Sequence, residues 1–570
     1  AAPAPAGPPA ALAAAVTSGL VRALAEALAD SLAASTSGGP PTAGATCVSL
    51  AAALDAATAG SPLAAEVMLF ENLATPLVPH LVAGLGLVGD PVAAEAATPG
   101  AGGGLPPPTA ALEPLLAVVT RVIKGPVEAA AAGGGVTDEP IDVAAADDTA
   151  AVAAPAALTS ATAALDATAK RGLSPLTRTM AADFVELLVA SGVVDALASL
   201  FACHDRPKAE VEPVPPAIIA GLRLLEALLD ARAPPQGQEL VGAKAPGVVG
   251  AGAGTGSSNG GGGAPIIPPA EGESPAGSLI SALRETALAG LPSLVTSVLL
   301  QTESTLRIPV LQNPAAAAAA LPSNFVPVAT AVLRLLNATA RFGPEVAQDA
   351  LSSPDLRVET HHLLSFILAL CASEWDSAVA AAAKAETEHK RAGSGGGGAG
   401  GPGGPGGIGK GGGVGSGSGA GGSRGDGSEN AGATLYELSE LLDQTVLFIG
   451  AFALLCPANQ DMLCWGRAPT LLQRLPDLPF EYYSSPEKVA VLFPTLVAVA
   501  FGHEINRRVI ANELSLEMLL EFVGRERGCR EKGKPNAAAV NGLSPQFAFA
   551  ARFPPALWGD AEEYFGPDGG

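Results

Sequence analysis

Leu441–Ile510 reads LLDQTVLFIGAFALLCPANQDMLCWGRAPTLLQRLPDLPFEYYSSPEKVAVLFPTLVAVAFGHEINRRVI, and the stretch repeats itself. Leu442, Val446, Ile449 and Phe452 step by three and four residues, which places them on one face of a helix. Val489, Phe493, Leu496 and Val499 do the same 47 positions later. Beyond the helix the register holds: Asn459, Met462, Leu463, Leu472 and Leu475 are answered by Asn506, Val509, Ile510, Leu519 and Phe522. A period of about 40–47 residues with two or three helices per unit is the mark of armadillo and HEAT repeats. Such units bury their apolar faces only against neighbours, so the expected fold is all-α: an armadillo/HEAT-like superhelix interrupted by disordered Gly/Pro/Ala-rich linkers.

Composition sets the limits. Among 570 residues there are 69 Gly and 50 Pro, and much of the 48% apolar content is alanine, so real core belongs to the Leu-, Val-, Phe- and Ile-rich segments. A net charge of −23 argues against a general nucleic-acid-binding surface, which needs clustered Lys and Arg. Six scattered cysteines, with Cys456 and Cys464 in expected helical settings, suit a reducing compartment. The chain starts at Ala1 rather than Met and reads as a fragment, so a missing signal peptide carries no weight. The best uncharged apolar runs, Thr286–Thr302 and Ile308–Leu333, are broken by Gly, Pro, Ser or Asn, and buried helices explain them better than a membrane span.

Taken in order, residues 1–132 are expected to form alanine-rich helices with a Gly/Pro linker. A break is expected at Ser18-Gly19, and one short helix over Leu112–Ile123. Residues 133–172 read as an acidic linker, 173–232 as helical repeats and 233–277 as a disordered linker. Helical repeats return over 278–392, followed by a Gly-rich tether over 393–432 and a terminal repeat unit over 433–567. Gly192 and Gly466, each followed by a leucine five residues on, mark sharp interhelix turns, and Gly290 is a looser copy. Ser485-Pro486-Glu487 reads as a capped helix start, Gly524–Pro535 as a charged loop, and Pro554–Phe565 as the last helix.

No chemistry assembles. Gly404–Lys410 imitates a phosphate loop, but Gly411 stands where a magnesium-holding Ser or Thr belongs and no strand precedes it. Arg424-Gly425-Asp426 is a chance product of a Gly/Ser-rich tether. The neighbours His361 and His362 point about 100° apart on a helix, and Cys203-His204 shares that defect, so neither pair makes a metal site. There is no H-E-x-x-H or C-x-x-C; His503-Glu504 reads as solvated, and no spacing builds a nucleophile with its base. The expectation is a non-enzyme without cofactor or metal.

From Leu441 to Phe565 the chain resembles the C-terminal region of the S-phase cyclin A-associated, endoplasmic-reticulum protein family. The residues that carry the likeness are Asn459-Gln460, Gly466-Arg467 with Pro469-Thr470, Leu478-Pro479-Phe480, Val491-Leu492-Phe493-Pro494, and Arg552-Phe553-Pro554 with Trp558. Weaker likeness runs through Gly192–Asp195, Ser278–Leu300 and Val328–Leu336, and none before about residue 170. The resemblance implies a cytoplasmic adaptor peripheral to the endoplasmic reticulum. Its implied partners are cyclin A with its kinase, and the ribosome and deadenylase machinery of tubulin-message decay. The C2H2 zinc finger that the family carries upstream is absent from this chain, and the Gly-rich insertions at 234–277 and 393–422 are larger than the family leads one to expect. The 47-residue repeat alone supports a second reading, a generic armadillo-type scaffold for a cytoskeletal or cell-cycle partner.

One stretch departs from the overall acidity. Ile505–Lys534 holds seven basic residues, Arg507, Arg508, Arg525, Arg527, Arg530, Lys532 and Lys534, against five glutamates. Arg507 and Arg508 open an expected helix and the other five an expected loop, so the two groups can converge as a small phosphate- or partner-binding patch. A plain solvated surface is the alternative.

Overall fold

The computed structural model describes residues 10–36, 42–60, 62–89, 109–133, 175–202, 214–232, 279–280, 283, 323–372, 426–532 and 545–567. Among these, every regular element is a helix. The first part of the chain runs α1 Ala10–Thr36, α2 Thr42–Gly60, α3 Pro62–Phe70, α4 Val78–Gly89, α5 Thr109–Gly133, α6 Pro175–Ala190, α7 Val193–Ala202 and α8 Pro216–Arg232. Then come α9 Phe325–Ala340, α10 Pro344–Ala350 and α11 over 354–372. The C-terminal part holds α12 Asp426–Ala453, α13 Pro457–Met462, α14 Leu471–Arg474, α15 Glu481–Ser484, α16 Pro486–Ala500, α17 Glu504–Glu513, α18 Leu516–Glu531, α19 Phe549–Arg552 and α20 Trp558–Phe565.

The long helices pack in series: α2 on α5, α5 on α8, α8 on α9, α9 on α12 and α12 on α16. Each buries a leucine- and valine-rich face in one continuous core. The leucines of α8 show this, since Leu222, Leu224, Leu225, Leu228 and Leu229 are all fully buried. Every step of the series also carries at least one ion pair between neighbours. Asp55 meets Arg121, Lys124 meets Glu226 at 3.2 Å, Asp230 meets Arg341, Arg334 meets Glu440 at 3.0 Å, and Lys488 meets Asp443 at 2.7 Å. Half-buried pairs of this kind add little net stability, because desolvation offsets attraction, but a slipped helix would strand one charge.

The 47-residue spacing recurs in the hydrogen bonds. Asn459 Nδ2 donates to the Phe452 carbonyl at 2.7 Å, and Asn506 Nδ2 donates to the Val499 carbonyl at 2.9 Å. The last carbonyls of α12 and α16 lack helical donors and take one from a glutamine. Gln348 serves Ala451 and Leu454 at 2.8 and 3.0 Å; Gln460 serves their counterparts 47 residues on, Ala498 and Phe501, both at 3.0 Å. Both glutamines sit in short helices that open on a proline, Pro344 and Pro457. Leu455 and Gly502, also 47 apart, both take positive φ just beyond their helices.

The turn glycines behave as expected at Gly192 (φ 78°) and Gly466 (φ 93°). Several expectations are corrected. The break at Ser18-Gly19 is absent: α1 runs through it, since one exposed glycine costs a helix only about 1 kcal/mol against alanine. The short helix over Leu112–Ile123 extends to Thr109–Gly133. The tether, expected through residue 432, gives way to α12 at Asp426. The loop at Gly524–Pro535 is helical through Glu531. Phe522, Val523 and Glu526 are buried, and α18 packs on α20 so closely that a Cβ at Gly524 would lie 3.2 Å from Glu562 Oε1. Ser485 does precede α16, but its hydroxyl donates to the Glu487 carboxylate instead of capping the backbone. Cys456 and Cys464 sit in the turns flanking α13 rather than within helices.

The tether over 393–425, Gly290, Cys203, His204, the phosphate-loop imitation and Lys534 lie outside the described residues. Of the helix expected over Ser278–Leu300, only 279, 280 and 283 are described. No single described helix is long and apolar enough to cross a membrane. Two pairs, Thr46–Ala59 with Ala64–Phe70 and Thr179–Ala190 with Val193–Phe201, reach the length only together, across bends of 111° and 60°.

Phe493 is buried, its ring 5.4 Å from that of Phe522 and 6.4 Å from that of Tyr483. Phe493→Ala is expected to cost about 3–5 kcal/mol in urea unfolding, the range for a large core truncation. A loss below about 1 kcal/mol would show that this site collapses without a cavity.

Candidate functional site

The C-terminal helices α12–α20 hold most of the residues singled out in the sequence, and the fold unites several of them. Arg552 is the clearest case. Pro494 has no N–H, so the carbonyl of Ala490 one turn earlier in α16 loses its helical donor. Arg552 supplies one: Nη1 donates to Ala490 at 2.9 Å and to Val491 at 2.7 Å, and Nη2 donates to Thr495 Oγ1 at 2.5 Å. Thr495 in turn donates to the Val446 carbonyl of α12 at 2.8 Å. Gly450 makes the crossing possible, since a Cβ there would sit 2.9 Å from Thr495 Oγ1. Two separate sequence motifs, Val491–Pro494 and Arg552–Pro554, are therefore one arrangement in space. Burial holds the Arg552 guanidinium below the usual arginine value, with Asp443 pulling it back.

Asp443 anchors the neighbouring network. Lys488 Nζ donates to both its oxygens, at 2.8 and 2.7 Å, and to Ser439 Oγ at 2.7 Å; the fully buried Tyr482 donates to Asp443 Oδ1 at 2.7 Å. Burial pushes the Asp443 carboxyl up, and Lys488 and Tyr482 pull it back. Each of the ammonium's three donors has an acceptor, so this is a staple between α12, α15 and α16. His503 is likewise structural rather than solvated. As the first cap of α17, its Nδ1 accepts the Asn506 N–H at 3.2 Å, and its Nε2 lies 2.9 Å from Asp461 Oδ1. His361 is buried with no partner at Nε2, its ring 5.5 Å edge-on to that of His362. Among the described residues no group of three or more His, Cys, Asp or Glu is placed to hold a metal ion.

Three of the basic residues, Arg507, Arg527 and Arg530, converge on α20 from helices rather than from a loop. Arg507 lies over the Tyr564 ring at 5.2 Å, Arg527 pairs with Glu562, and Arg530 lies over Trp558 at 5.9 Å. Acids interleave with them: Glu504 meets Arg508 at 2.9 Å and Arg507 at 3.6 Å, and Glu531 meets Arg527 at 3.1 Å. Arg525 covers Phe522 at 5.5 Å. Arg507 and Arg527 are half-buried, whereas Arg508, Arg525, Arg530 and Lys532 face solvent. The outward charge rests on those four.

Trp465 at 52% and Phe480 at 77% are among the exposed large aromatics. Both occur in otherwise apolar or turn-forming sequence, so no periodicity distinguishes them from core. Phe480 belongs to the Leu478–Phe480 motif, and it is the part of that motif with no buried role.

Two measurements test this geometry. Arg552→Met leaves the Ala490 carbonyl without its side-chain donor and is expected to cost about 1–3 kcal/mol. Pro494→Ala restores a backbone donor, so the double variant should be more stable than the two single losses predict, by about 0.5 kcal/mol or more; strict additivity would show the two sites to be independent. Burial, and secondarily His362, lowers His361 to about 4. A depressed histidine contributes stability above its unfolded value of about 6.5, lost as pH falls through about 4. Between pH 7 and 4 the protein is thus expected to lose about 3 kcal/mol through His361, and His361→Phe should flatten that slope in urea titrations. An equal slope in both proteins would remove His361 as its source.

No family model matches the chain. Over 134 residues it is 31% identical to the human S phase cyclin A-associated protein in the endoplasmic reticulum, a stretch that makes up 22% of this chain and 9% of that protein. The chain is thus similar to a small part of a protein whose name couples cyclin A to the endoplasmic reticulum.

Proposed function

We propose that this chain is a non-enzymatic adaptor built as an armadillo/HEAT-like superhelix, working in ribosome-coupled regulation of tubulin messages and in cyclin A-linked interactions. The observation that carries the reading is the similarity to the cyclin A-associated protein. It is supported by the hydrogen bonds that recur at 47 residues across α12 and α16. In this reading the helices stack as repeats, and the protein works at the cytoplasmic face of the endoplasmic reticulum without spanning it. The solvent-facing Arg508, Arg525, Arg530 and Lys532 would meet ribosomal phosphate, and the helical surface would hold cyclin A with its kinase and the deadenylase.

The test uses the full chain with purified ribosomes and with purified cyclin A–kinase complex. Co-sedimentation with ribosomes should weaken steeply with salt. Arg508→Glu, Arg525→Glu and Arg530→Glu together should lower the salt slope by about 1 for each phosphate no longer neutralised. Circular dichroism checks that the variant stays folded. Binding of cyclin A without any ribosome would favour the plain cell-cycle scaffold. Binding of neither would overturn the adaptor reading.

A further inference from the structure

A small, partly open cleft of about 40 Å³ lies where α9, α12 and α19 meet. Arg341, Asn337, Leu447, Ala451, Gln546 and Arg552 contribute to its lining, which includes no acidic residue. That is unusual in a chain of net charge −23.

Of the two cations that line the cleft, Arg341 has a carboxylate partner and Arg552 meets none within hydrogen-bond reach among the described residues. Arg341 pairs with Asp230, but Asp230 also lies 3.9 Å from Lys124. Lys124 has Glu226 at 3.2 Å, and Asp443 is held by Lys488. Arg552 meets only carbonyl and hydroxyl oxygens within hydrogen-bond reach. Its contacts engage three of five N–H donors. The buried Nε of Arg341 has no partner. A guanidinium left with donors is matched geometrically by a carboxylate, which can accept two of them in parallel. Leu447 and Ala451, with Ala340 and Leu454, provide an apolar wall beside those donors.

We propose that this cleft binds a carboxylate on a short apolar stem, held by Arg341 and Arg552 against the wall of α12. The proposal stands apart from the adaptor reading, because it rests on the cleft alone. The carboxylate can come from a free small acid or from the end of a polypeptide, and the two sources are separable by experiment.

The experiment is an NMR titration of the arginine Nε–H resonances in the full chain. Butyrate is the small probe, butanol its uncharged control, and a tetrapeptide ending in Ala-Leu with a free carboxylate the second probe. Butyrate should saturate with a dissociation constant on the order of mM, and butanol should bind at least about tenfold more weakly. Ala551→Glu places a resident carboxylate in the cleft from an exposed position and should weaken butyrate about tenfold or more, whereas Ala551→Gln should not. The peptide binding about tenfold tighter than butyrate assigns the site to a polypeptide end, and equal or weaker binding assigns it to a free acid. Equal binding of butyrate and butanol, an unchanged titration in Ala551→Glu, or no saturation by either probe up to about 50 mM would overturn the proposal.

Discussion

The structure depends on the contact between one long helix and the next. Each helix of the series α2, α5, α8, α9, α12, α16 buries its apolar inner faces against its neighbours in one continuous core. Burial of those leucines and valines supplies the driving force, at about 25 cal/mol per Å² of apolar surface removed from water. Apolar contact alone does not choose a register, because neighbouring leucines are interchangeable along a helix. The cross-helix ion pairs favour one register: each step carries at least one, and a one-turn slip would break it. In a chain with only 32 basic residues, five committed to this series are a sizeable share.

The ends of those helices raise a second requirement. A helix that stops inside a core leaves its last carbonyls without donors. Here the donors are side chains supplied by neighbours: Gln348 for α12 and Gln460 for α16. The interior break at Pro494 poses the same problem in mid-helix, and Arg552 answers it from α19. The terminal segment is thereby tied into α16, and the Phe549 ring stacks on those of Phe553 and Trp558.

The same arginine bears on function. Its charge is tolerated inside because carbonyl oxygens surround it, yet no carboxylate neutralises it directly, and the adjoining cleft inherits that imbalance. The surface arginines near α20 are different. They lie among glutamates and aromatic rings, so their field is local and their outward reach depends on the few that face solvent.

Much was legible in the sequence. The step of three and four residues at Leu442–Phe452 and Val489–Val499 determines helices, and the 47-residue echo determines that Asn459 and Asn506 do the same job, because identical local geometry presents the same carbonyl to the same amide. The turns at Gly192 and Gly466 were equally readable, since few residues accept positive φ. Less legible was anything that needs a neighbour. Gly524 and Gly528 read as a loop because local propensity is all that sequence shows, and only packing on α20 makes them helical. His503 reads as solvated until the fold brings Asp461 and the Asn506 amide to it. That Arg552 answers Pro494, that Phe480 faces out, and that two guanidiniums border one cleft were decided by tertiary structure alone, whereas the burial of Phe493 follows from the repeat itself. Each is a relation between residues far apart in the chain, and the periodicity of a sequence records only relations within one helix and its repeat.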